Sequence, residues 1–449
     1  MFTNPNLRDQ NEILPFNQPK QKHELSTFSF PDSFVLAKTL AEEKKNTGHG
    51  ASALIITENQ ENAERISTEI NFFNNDLNIK LFPDWEILPY EPFSPHEDLV
   101  SNRLLTLYEA IKGNLDGIIL SAQTALMRLP PKEFVAGHTF FLKKNQKIRI
   151  QGLLDQLNIA GYAYNTHVVS PREYSTRGNI IDLFPMGSST PYRLELIDDE
   201  IETIKIFDPD TQRTLYPAEE IRILPSREFP IGKISADRFR INWRKNFEGD
   251  PLKCTLYRDV GKEIFGSGIE YYLPFLHERL DTIFSYVKNG GKVYEIGEIA
   301  RATEKQAVEI NQRYDYLKHD MERPICPPES ISIQQHQFSA AKKNFRNIDI
   351  YAISKSLKIS QLPNLGTDGR INNNLEKFKE ALEDKKLGYN ILVVTNNAGR
   401  AETIHAMMNK INIPSHVVNT FKEFDTNSKK NDSSTQSISI VKGLLAHGF

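Results

Sequence analysis

Short apolar segments alternate with helical repeats through the first 120 residues, and this alternation constrains the fold more than any other feature. Ala53–Thr57 and residues 117–120 have the continuous apolar character of strands that are buried on both faces. Helical repeats occupy residues 59–70 and 100–112, and Gly113 closes the second of them. Strands separated by helices run parallel. We therefore predict a parallel sheet covered by helices, as in nucleotide-binding and helicase-like domains.

A run of strand-like segments interrupts this alternation. From about residue 139, one short helical stretch near 151–157 precedes several segments in which polar and apolar residues alternate, up to residue 223. A strand-like segment returns at 391–395, followed by another helical repeat. Residues 425–437 are rich in Asn, Ser, Lys and Asp and predict a mobile loop.

These patterns predict a multidomain α/β protein. Residues 1–138 and 229–345 are expected to form the two parts of one helicase-like domain. Residues 139–228 would form a small α+β domain inserted between them, and residues 346–449 a second, smaller α/β domain. The sequence stops soon after a strand-like segment and lacks a closing helix, so we interpret it as part of a longer protein.

No segment carries the residues that bind ATP. A phosphate loop needs spaced glycines with a lysine and a hydroxyl residue, because backbone N–H groups hold the phosphates. The turn entering the first helix, residues 28–33 (FSFPDS), has neither glycine nor lysine. Residues 290–293 (GGKV) lack the earlier glycine and the hydroxyl residue. We therefore predict no catalytic residue and no cofactor site in this chain.

Composition argues against several classes of protein. The two cysteines, Cys254 and Cys326, lie far apart, and the eleven histidines are scattered, so no metal site is predicted. No apolar run approaches the roughly 20 residues needed to span a bilayer, and the first residues do not form a signal peptide. We expect a cytoplasmic protein with no membrane partner. The net charge of −3 gives no overall attraction for nucleic acid.

One predicted strand combines a core face with a candidate binding face. In residues 192–197, the alternation directs Leu194 and Leu196 to one side and Arg193 and Ile197 to the other. An arginine beside an exposed apolar residue suits an interface anchor. The alternative is a solvated strand face with one stray isoleucine. Residues 171–230 contain seven Arg or Lys and twelve Asp or Glu, which favours a protein partner over nucleic acid.

Five motifs are similar to those of one protein family, and those that contain residues 84–86, 176–187 and 268–272 occur in the same order as in that family. They are residues 81–86 (LFPDWE), 89–96 (PYEPFSPH), 173–187 (EYSTRGNIIDLFPMG), 191–196 (PYRLEL) and 268–272 (GIEYY). The chain resembles the amino-terminal part of the bacterial transcription-repair coupling factor (Mfd) family. The resemblance implies a region similar to the repair protein UvrB without its ATPase, whose inserted domain recruits UvrA to stalled RNA polymerase in nucleotide excision repair.

The resemblance also assigns residues. The family's UvrA-contacting arginines fall on Arg177 and Arg193, and a third contact position, often aromatic, falls on Ile197. Arg177 could instead be structural, tying the Gly178 turn to Asp182 or Glu173. The resemblance further implies that the parent protein continues beyond residue 449 into an RNA polymerase-binding module and a DNA translocase that uses ATP and magnesium and binds duplex DNA.

The sequence leaves two other functions to consider. A UvrB-type DNA-processing helicase would need the missing lysine-bearing loop and an aromatic β-hairpin soon after it, and neither is visible between residues 28 and 84. A scaffold that inhibits a C-terminal motor is compatible with UvrA binding. Trp85, Tyr90 and Phe93 could form an aromatic platform for single strands, but no Lys or Arg lies between residues 81 and 102, so we favour packing of these rings.

Overall fold

The computed structural model describes residues 32–47, 53–288, 290–350, 391–410, 412–430 and 438–445. Of the turn at 28–33, residues 28–31 lie outside these ranges. The first part of the chain forms the helices α1 (Asp32–Thr47), α2 (Gln60–Phe73), α3 (Glu97–Lys112), α4 (Ala122–Leu126) and α5 (Lys132–Gly137). Its strands are β1 (Ala53–Thr57), β2 (Ile79–Leu81) and β3 (Gly117–Ser121).

The inserted part follows. It contains one helix, α6 (Ile150–Ile159), within the residues described. Its strands are β4 (Phe140–Lys143), β5 (Ala163–Tyr164), β6 (Glu173–Arg177), β7 (Ile180–Leu183), β8 (Tyr192–Ile197), β9 (Glu200–Phe207), β10 (Thr214–Ala218) and β11 (Glu220–Ile223).

The chain then becomes mainly helical. The helices are α7 (Lys233–Asn246), α8 (Thr255–Val260), α9 (Leu273–Leu276), α10 (Ile283–Tyr286), α11 (Ile299–Leu317), α12 (Pro328–Ile331) and α13 (Gln335–Lys342), with 3-10 turns at Pro251–Lys253 and Ile269–Tyr272. The strands are β12 (Lys292–Ile296) and β13 (Arg346–Ile348). The last part contains β14 (Ile391–Thr395), α14 (Ala398–Lys410), β15 (Ser415–Val418), α15 (Phe421–Lys430) and β16 (Ile438–Lys442).

The first sheet is parallel and has the strand order β13-β12-β1-β3-β2. Every residue of β1 and β3 is buried, which explains their continuous apolar sequences. The predicted α/β class is confirmed. Because β12 and β13 come after the insertion, the chain returns to this sheet. Arg346–Ile348 lies in it, although we predicted a separate unit from residue 346, and Ile350 is buried in the same core.

The inserted unit begins and ends on the same two-stranded sheet, in which β4 pairs antiparallel with β11. Between them lies a six-stranded sheet in the order β10-β9-β8-β7-β6-β5. All neighbours in it are antiparallel except β5 and β6. One face of this sheet packs with α6 and joins the hydrophobic core that reaches α3 and the first sheet. The insertion is therefore attached to the body by shared core as well as by its two connections.

The last unit has a three-stranded parallel sheet in the order β14-β16-β15. It contacts the first unit through Phe421 and Lys422. The centre of the Phe421 ring lies 5.1 Å from the centre of the Phe73 ring, and Lys422 forms an ion pair with Asp76. The loop predicted at 425–437 is corrected in part, because residues 425–430 belong to α15. Residues 431–437 lie outside the described residues.

Two features of the body bear on the alternatives considered from sequence. Trp85 and Tyr90 are buried and their rings contact Tyr271, so packing explains them and they do not form an exposed platform, whereas Phe93 is 62% exposed. Lys292 lies at the amino end of β12 and its ammonium group binds Glu43. Phosphate loops follow the carboxyl end of a strand, so the GGKV segment has the wrong placement for one.

Candidate partner-binding site

A tight hairpin positions Arg177. Strands β6 and β7 are antiparallel, and Arg177 pairs directly with Ile180, which leaves a two-residue turn of Gly178 and Asn179. Gly178 has a φ of +61°, a conformation that costs glycine little because it has no Cβ atom. Since directly paired residues lie on the same face of a sheet, Arg177 and Ile180 project from the same face.

The alternation predicted for β8 is confirmed. Leu194 and Leu196 are buried on the face that packs against the body, which we call the inner face. Arg193 and Ile197 lie on the opposite, outer face, and Ile197 is 57% exposed. The register places Ile180 opposite Glu195 and Asp182 opposite Arg193, so the outer face continues across β7 and β6.

One end of the outer face is covered by the loop of residues 165–172. Val168 of this loop packs with Phe184 and Phe207, and all three are buried. The Glu173 carboxylate accepts hydrogen bonds from the amides of Val169 and Ser170. Although partial burial opposes ionisation, these bonds hold the pKa of Glu173 below its ordinary value. The loop is thereby fixed over this part of the sheet, which we call the covered end.

Arg193 belongs to the covered end. Its Nε and Nη2 atoms donate to the two carboxylate oxygens of Asp182 at 2.7 and 2.8 Å, and Nη1 donates to the carbonyl of Gln212. The guanidinium carbon lies 4.9 Å from the centre of the Phe207 ring. Hydrogen bonding to Asp182 raises the pKa of Arg193. The arginine is thus engaged within the insertion, and its side chain is only 18% exposed.

Arg177, Ile180 and Ile197 lie at the other end of the outer face, which we call the open end. Arg177 is exposed, and Nη2 donates to the carbonyl of Thr166 at 2.7 Å. No carboxylate lies within 4 Å of its guanidinium group in the part of the chain described. The main chain links the hairpin to β8, because the Leu196 amide donates to the Asn179 carbonyl. Strand spacing puts Arg177 about 10 Å from Glu195 across β7.

The open end also contains a neutralised acidic residue. The Glu195 carboxylate accepts hydrogen bonds from the Thr203 hydroxyl and from the Lys205 ammonium group. The Thr203 bond, together with the lysine, lowers the pKa of Glu195. Because Glu195 is already paired with Lys205, it does not compete strongly for Arg177. The charge of the Arg177 guanidinium therefore stays available to a partner at this end.

The structure separates Arg193 from the other two residues assigned from sequence, Arg177 and Ile197. It places all three on one face, but it brings only Arg177 and Ile197 to the open end. The alternative role considered for Arg177, a bond to Asp182 near the turn, is filled by Arg193 instead. Sequence reasoning missed Ile180, which is 37% exposed beside Arg177. The two-residue turn at Gly178 was the available signal, because it fixes the pairing of Arg177 with Ile180.

A buried ion pair fixes the exit of the insertion to the body. Arg103 on α3 donates from Nε to the Glu228 carboxylate at 2.5 Å, and both side chains are almost fully buried. The Arg103 guanidinium also donates to the Pro83 carbonyl and lies 4.3 Å from the Phe82 ring centre. The main-chain carbonyl of Glu228 accepts a hydrogen bond from His277 Nε2. The open end therefore belongs to a unit held firmly on the body.

The described residues lack two other kinds of site. They contain no group of three His, Cys, Asp or Glu side chains placed to hold a metal ion. None of their helices combines the length and the apolar character that spanning a bilayer requires.

Comparisons with known proteins agree with the sequence resemblance. Residues 140–229 match the UvrB interaction domain. The chain is 31% identical over 410 residues to the transcription-repair-coupling factor of Escherichia coli, and 28% identical over 438 residues to that of Haemophilus influenzae. These alignments cover 89% and 95% of this chain but only 35% and 37% of the relatives.

A more distant relative, the transcription-repair-coupling factor of Staphylococcus epidermidis, is 22% identical over 433 residues, which cover 92% of this chain and 36% of the relative. The chain thus spans about a third of the length of the curated relatives that it matches. The resemblance predicted from the five motifs is confirmed.

Proposed function

We propose that this chain, which is related over most of its length to the transcription-repair-coupling factors, acts in transcription-coupled repair as a UvrB-like module that recruits UvrA through its inserted unit. The relation to these factors and the match to the UvrB interaction domain support the role in repair. RNA polymerase, and the duplex DNA along which the motor moves, would be bound by regions outside this chain. The motor that uses ATP and magnesium would also lie there.

The observation that carries the proposal is the open end of the outer face. It lies inside residues 140–229, which match the UvrB interaction domain, and it combines the exposed Arg177 with the exposed Ile180 and Ile197. Arginine is enriched among the few residues that supply most of the binding energy at protein interfaces, where neighbouring side chains help to exclude water. The surrounding insertion has a net charge of −5 between residues 171 and 230, which disfavours a nucleic acid in this role.

The chemistry expected at the open end follows from its contacts. Arg177 uses one of its donors on the Thr166 carbonyl, so its remaining N–H groups can bind a carboxylate of UvrA through two hydrogen bonds. Ile197 is 57% exposed, and burying that part of it would add about 1 kcal/mol or slightly more, since full burial of such a side chain is worth roughly 1.5 to 3 kcal/mol. Arg193 contributes by holding β7 and β8 in register, and its direct contact with UvrA would use the donors that Asp182 and Gln212 leave free.

Calorimetric titration of the chain with UvrA tests the site. We expect Arg177→Gln to weaken binding by about 2 kcal/mol, in the range of interface arginines. Arg213→Gln is the matched control, because Arg213 is an exposed arginine of the same insertion that precedes β10 near the covered end. Equal weakening by both variants would show a general charge effect. Native affinity in Arg177→Gln, with Ile197→Ser also unaffected, would place the interface elsewhere.

The absence of motor chemistry in this chain is tested separately. ATP turnover by the chain is measured with and without duplex DNA, using Lys292→Ala as the variant that removes the lysine of the GGKV segment. We expect turnover at the level of a blank for both proteins, because the sequence has no phosphate loop. DNA-stimulated turnover that Lys292→Ala abolishes would support the UvrB-type helicase instead.

A further inference from the structure

Helices α7 and α8 carry a cluster of basic side chains. Residues 233–262 contain eight Arg or Lys and four Asp or Glu, a net of +4, whereas the whole chain has a net charge of −3. The inserted unit has the opposite sign. Positive charge gathered on one face of a protein with a negative total is the pattern expected of a surface that binds a polyanion.

Most of these cations have no carboxylate partner. Arg238 binds Glu278, but none of the other seven has a carboxylate within 4 Å among the residues described. These seven are Lys233, Arg240, Arg244, Lys245, Lys253, Arg258 and Lys262. Three less exposed arginines of the insertion and its junction differ from these cations, since Arg103, Arg193 and Arg222 each bind a carboxylate. The charge on α7 and α8 is therefore available to a partner.

The two helices display the cations from a rigid base. Phe239 and Trp243 of α7 and Tyr257 of α8 are buried in one aromatic core. The guanidinium carbons of Arg240 and Arg244 lie 5.3 and 5.8 Å from the centre of the Tyr257 ring, so they bridge the two helices. Lys233, Arg240 and Arg244 have helical spacings of seven and four residues, which align them along one side of α7. Arg258 and Lys262 continue the basic surface onto α8 and the residues just after it.

A second observation points to the same place. The Nε atom of Arg240 and the hydroxyl of Tyr257 are buried and have no hydrogen-bond partner among the described residues. Buried polar atoms without a partner are uncommon in folded proteins. Both atoms belong to the junction between α7 and α8, where the cations meet. The junction thus has donors that its own fold does not use.

We propose that the α7–α8 surface binds the sugar-phosphate backbone of duplex DNA without reading its sequence. Cations spread over two helices suit a row of phosphates, because each contact neutralises one phosphate and positions the duplex. α7 also exposes Ile234 and Ile241, which an acidic protein segment could use. The cations extend over both helices and outnumber the two isoleucines, so they favour DNA. This proposal does not depend on UvrA binding.

The test is fluorescence anisotropy of a labelled duplex of mixed sequence, with the full chain and no UvrA. The variant is the triple substitution Arg244→Ala, Arg258→Ala and Lys262→Ala, which leaves Arg240 on the Tyr257 ring. The control triple, Lys143→Ala, Arg301→Ala and Lys318→Ala, removes the same charge from side chains that each bind a carboxylate. Arg244 lies in the last turn of α7, where positive charge stabilises a helix, so circular dichroism accompanies each titration.

We expect the native chain to bind at about 50 mM salt and the variant to bind at least about tenfold more weakly. The slope of log K against log salt should fall by roughly 2 to 3 in the variant, at about 0.9 for each lost phosphate contact. The control triple should stay within about twofold of the native chain. Absence of DNA binding by the native chain, or equal weakening in both triples, would overturn the proposal. Binding of an acidic amphipathic peptide in place of DNA would also overturn it.

Discussion

The two faces of the six-stranded sheet in the insertion differ in what they bury. The inner face buries apolar side chains, whereas the outer face carries polar pairs and exposed residues. On the inner face, Ile181, Leu183 and Leu194 are fully buried and belong to the core that continues into the body. On the outer face, polar pairs such as Arg193 with Asp182 cover one end, and the other end exposes Arg177 and Ile197. The inner face therefore determines whether the unit folds and stays attached.

The role proposed for the outer face is recognition, because the residues of its open end make few contacts within the fold. The two properties are separable if this comparison is correct. Substitutions should reduce stability in the order inner face, junction, covered end and open end, and only the last should act on binding without affecting the fold.

The largest effect is expected on the inner face. Leu194→Ala removes a fully buried side chain from the shared core and should lower the free energy of unfolding by about 2 to 5 kcal/mol. Urea denaturation followed by circular dichroism measures the change. A loss below about 1 kcal/mol would mean that the sheet can collapse onto the cavity, and the inner face would then be less important than the comparison requires.

The junction should show a pH dependence. Burial lowers the pKa of His277 from 6.5 to about 4, against the opposing effect of its hydrogen bond to the Glu228 carbonyl. Between pH 6.5 and 4 the unfolded chain binds a proton that the folded chain does not, so stability is full above pH 6.5 and is lost as the pH falls towards 4. The loss should be at most about 3 kcal/mol, at about 1.4 kcal/mol per pKa unit.

His277→Gln separates this contribution from other acid-sensitive groups. Glutamine can still donate to the Glu228 carbonyl but does not titrate in this range. Urea midpoints measured from pH 7 to pH 4 should fall less steeply for the variant than for the native chain. Parallel curves would assign the acid sensitivity to carboxylates and leave His277 out of the junction.

Substitutions at the covered end should cause an intermediate loss of stability. Asp182→Ala leaves Arg193 without its carboxylate in a site where that arginine is 18% exposed, so we expect a loss of about 1 to 3 kcal/mol. Arg193→Met with Asp182→Ala removes both charges and should recover part of that loss, since the apolar stem still packs on Phe207. Thermal unfolding of the two variants gives the comparison. No recovery in the double variant would mean that the pair is needed for register.

Much of the fold could be predicted from sequence because its central strands can be recognised from their apolar residues alone. Every residue of β1 and β3 is buried, so their apolar runs are unambiguous. Strand β13 has only three residues, two of them exposed, and forms by pairing with the distant β12. The polar residues 425–430 look like a loop, but they extend α15, which is held by Phe421 against α2.

The site could be predicted in part for a related reason. A period of two along β8 is local, so the residues that share its outer face could be read directly. The partner of Arg193 could not, because it depends on the register between β7 and β8, which eight connecting residues leave undetermined. Only that register shows that Arg193 is engaged with Asp182 while Arg177 remains exposed.

The smallest effect on stability is expected at Ile197. Ile197→Ser changes a side chain that is 57% exposed, so the free energy of unfolding should stay within about 0.5 kcal/mol of the native value. UvrA affinity should nevertheless fall by about 1 kcal/mol, as apolar surface is lost from the interface. Ile197→Phe restores and enlarges that surface, so it should bind UvrA at least as tightly as the native chain. A weaker Ile197→Phe complex would show that this position is confined and that the open end meets a surface of fixed shape.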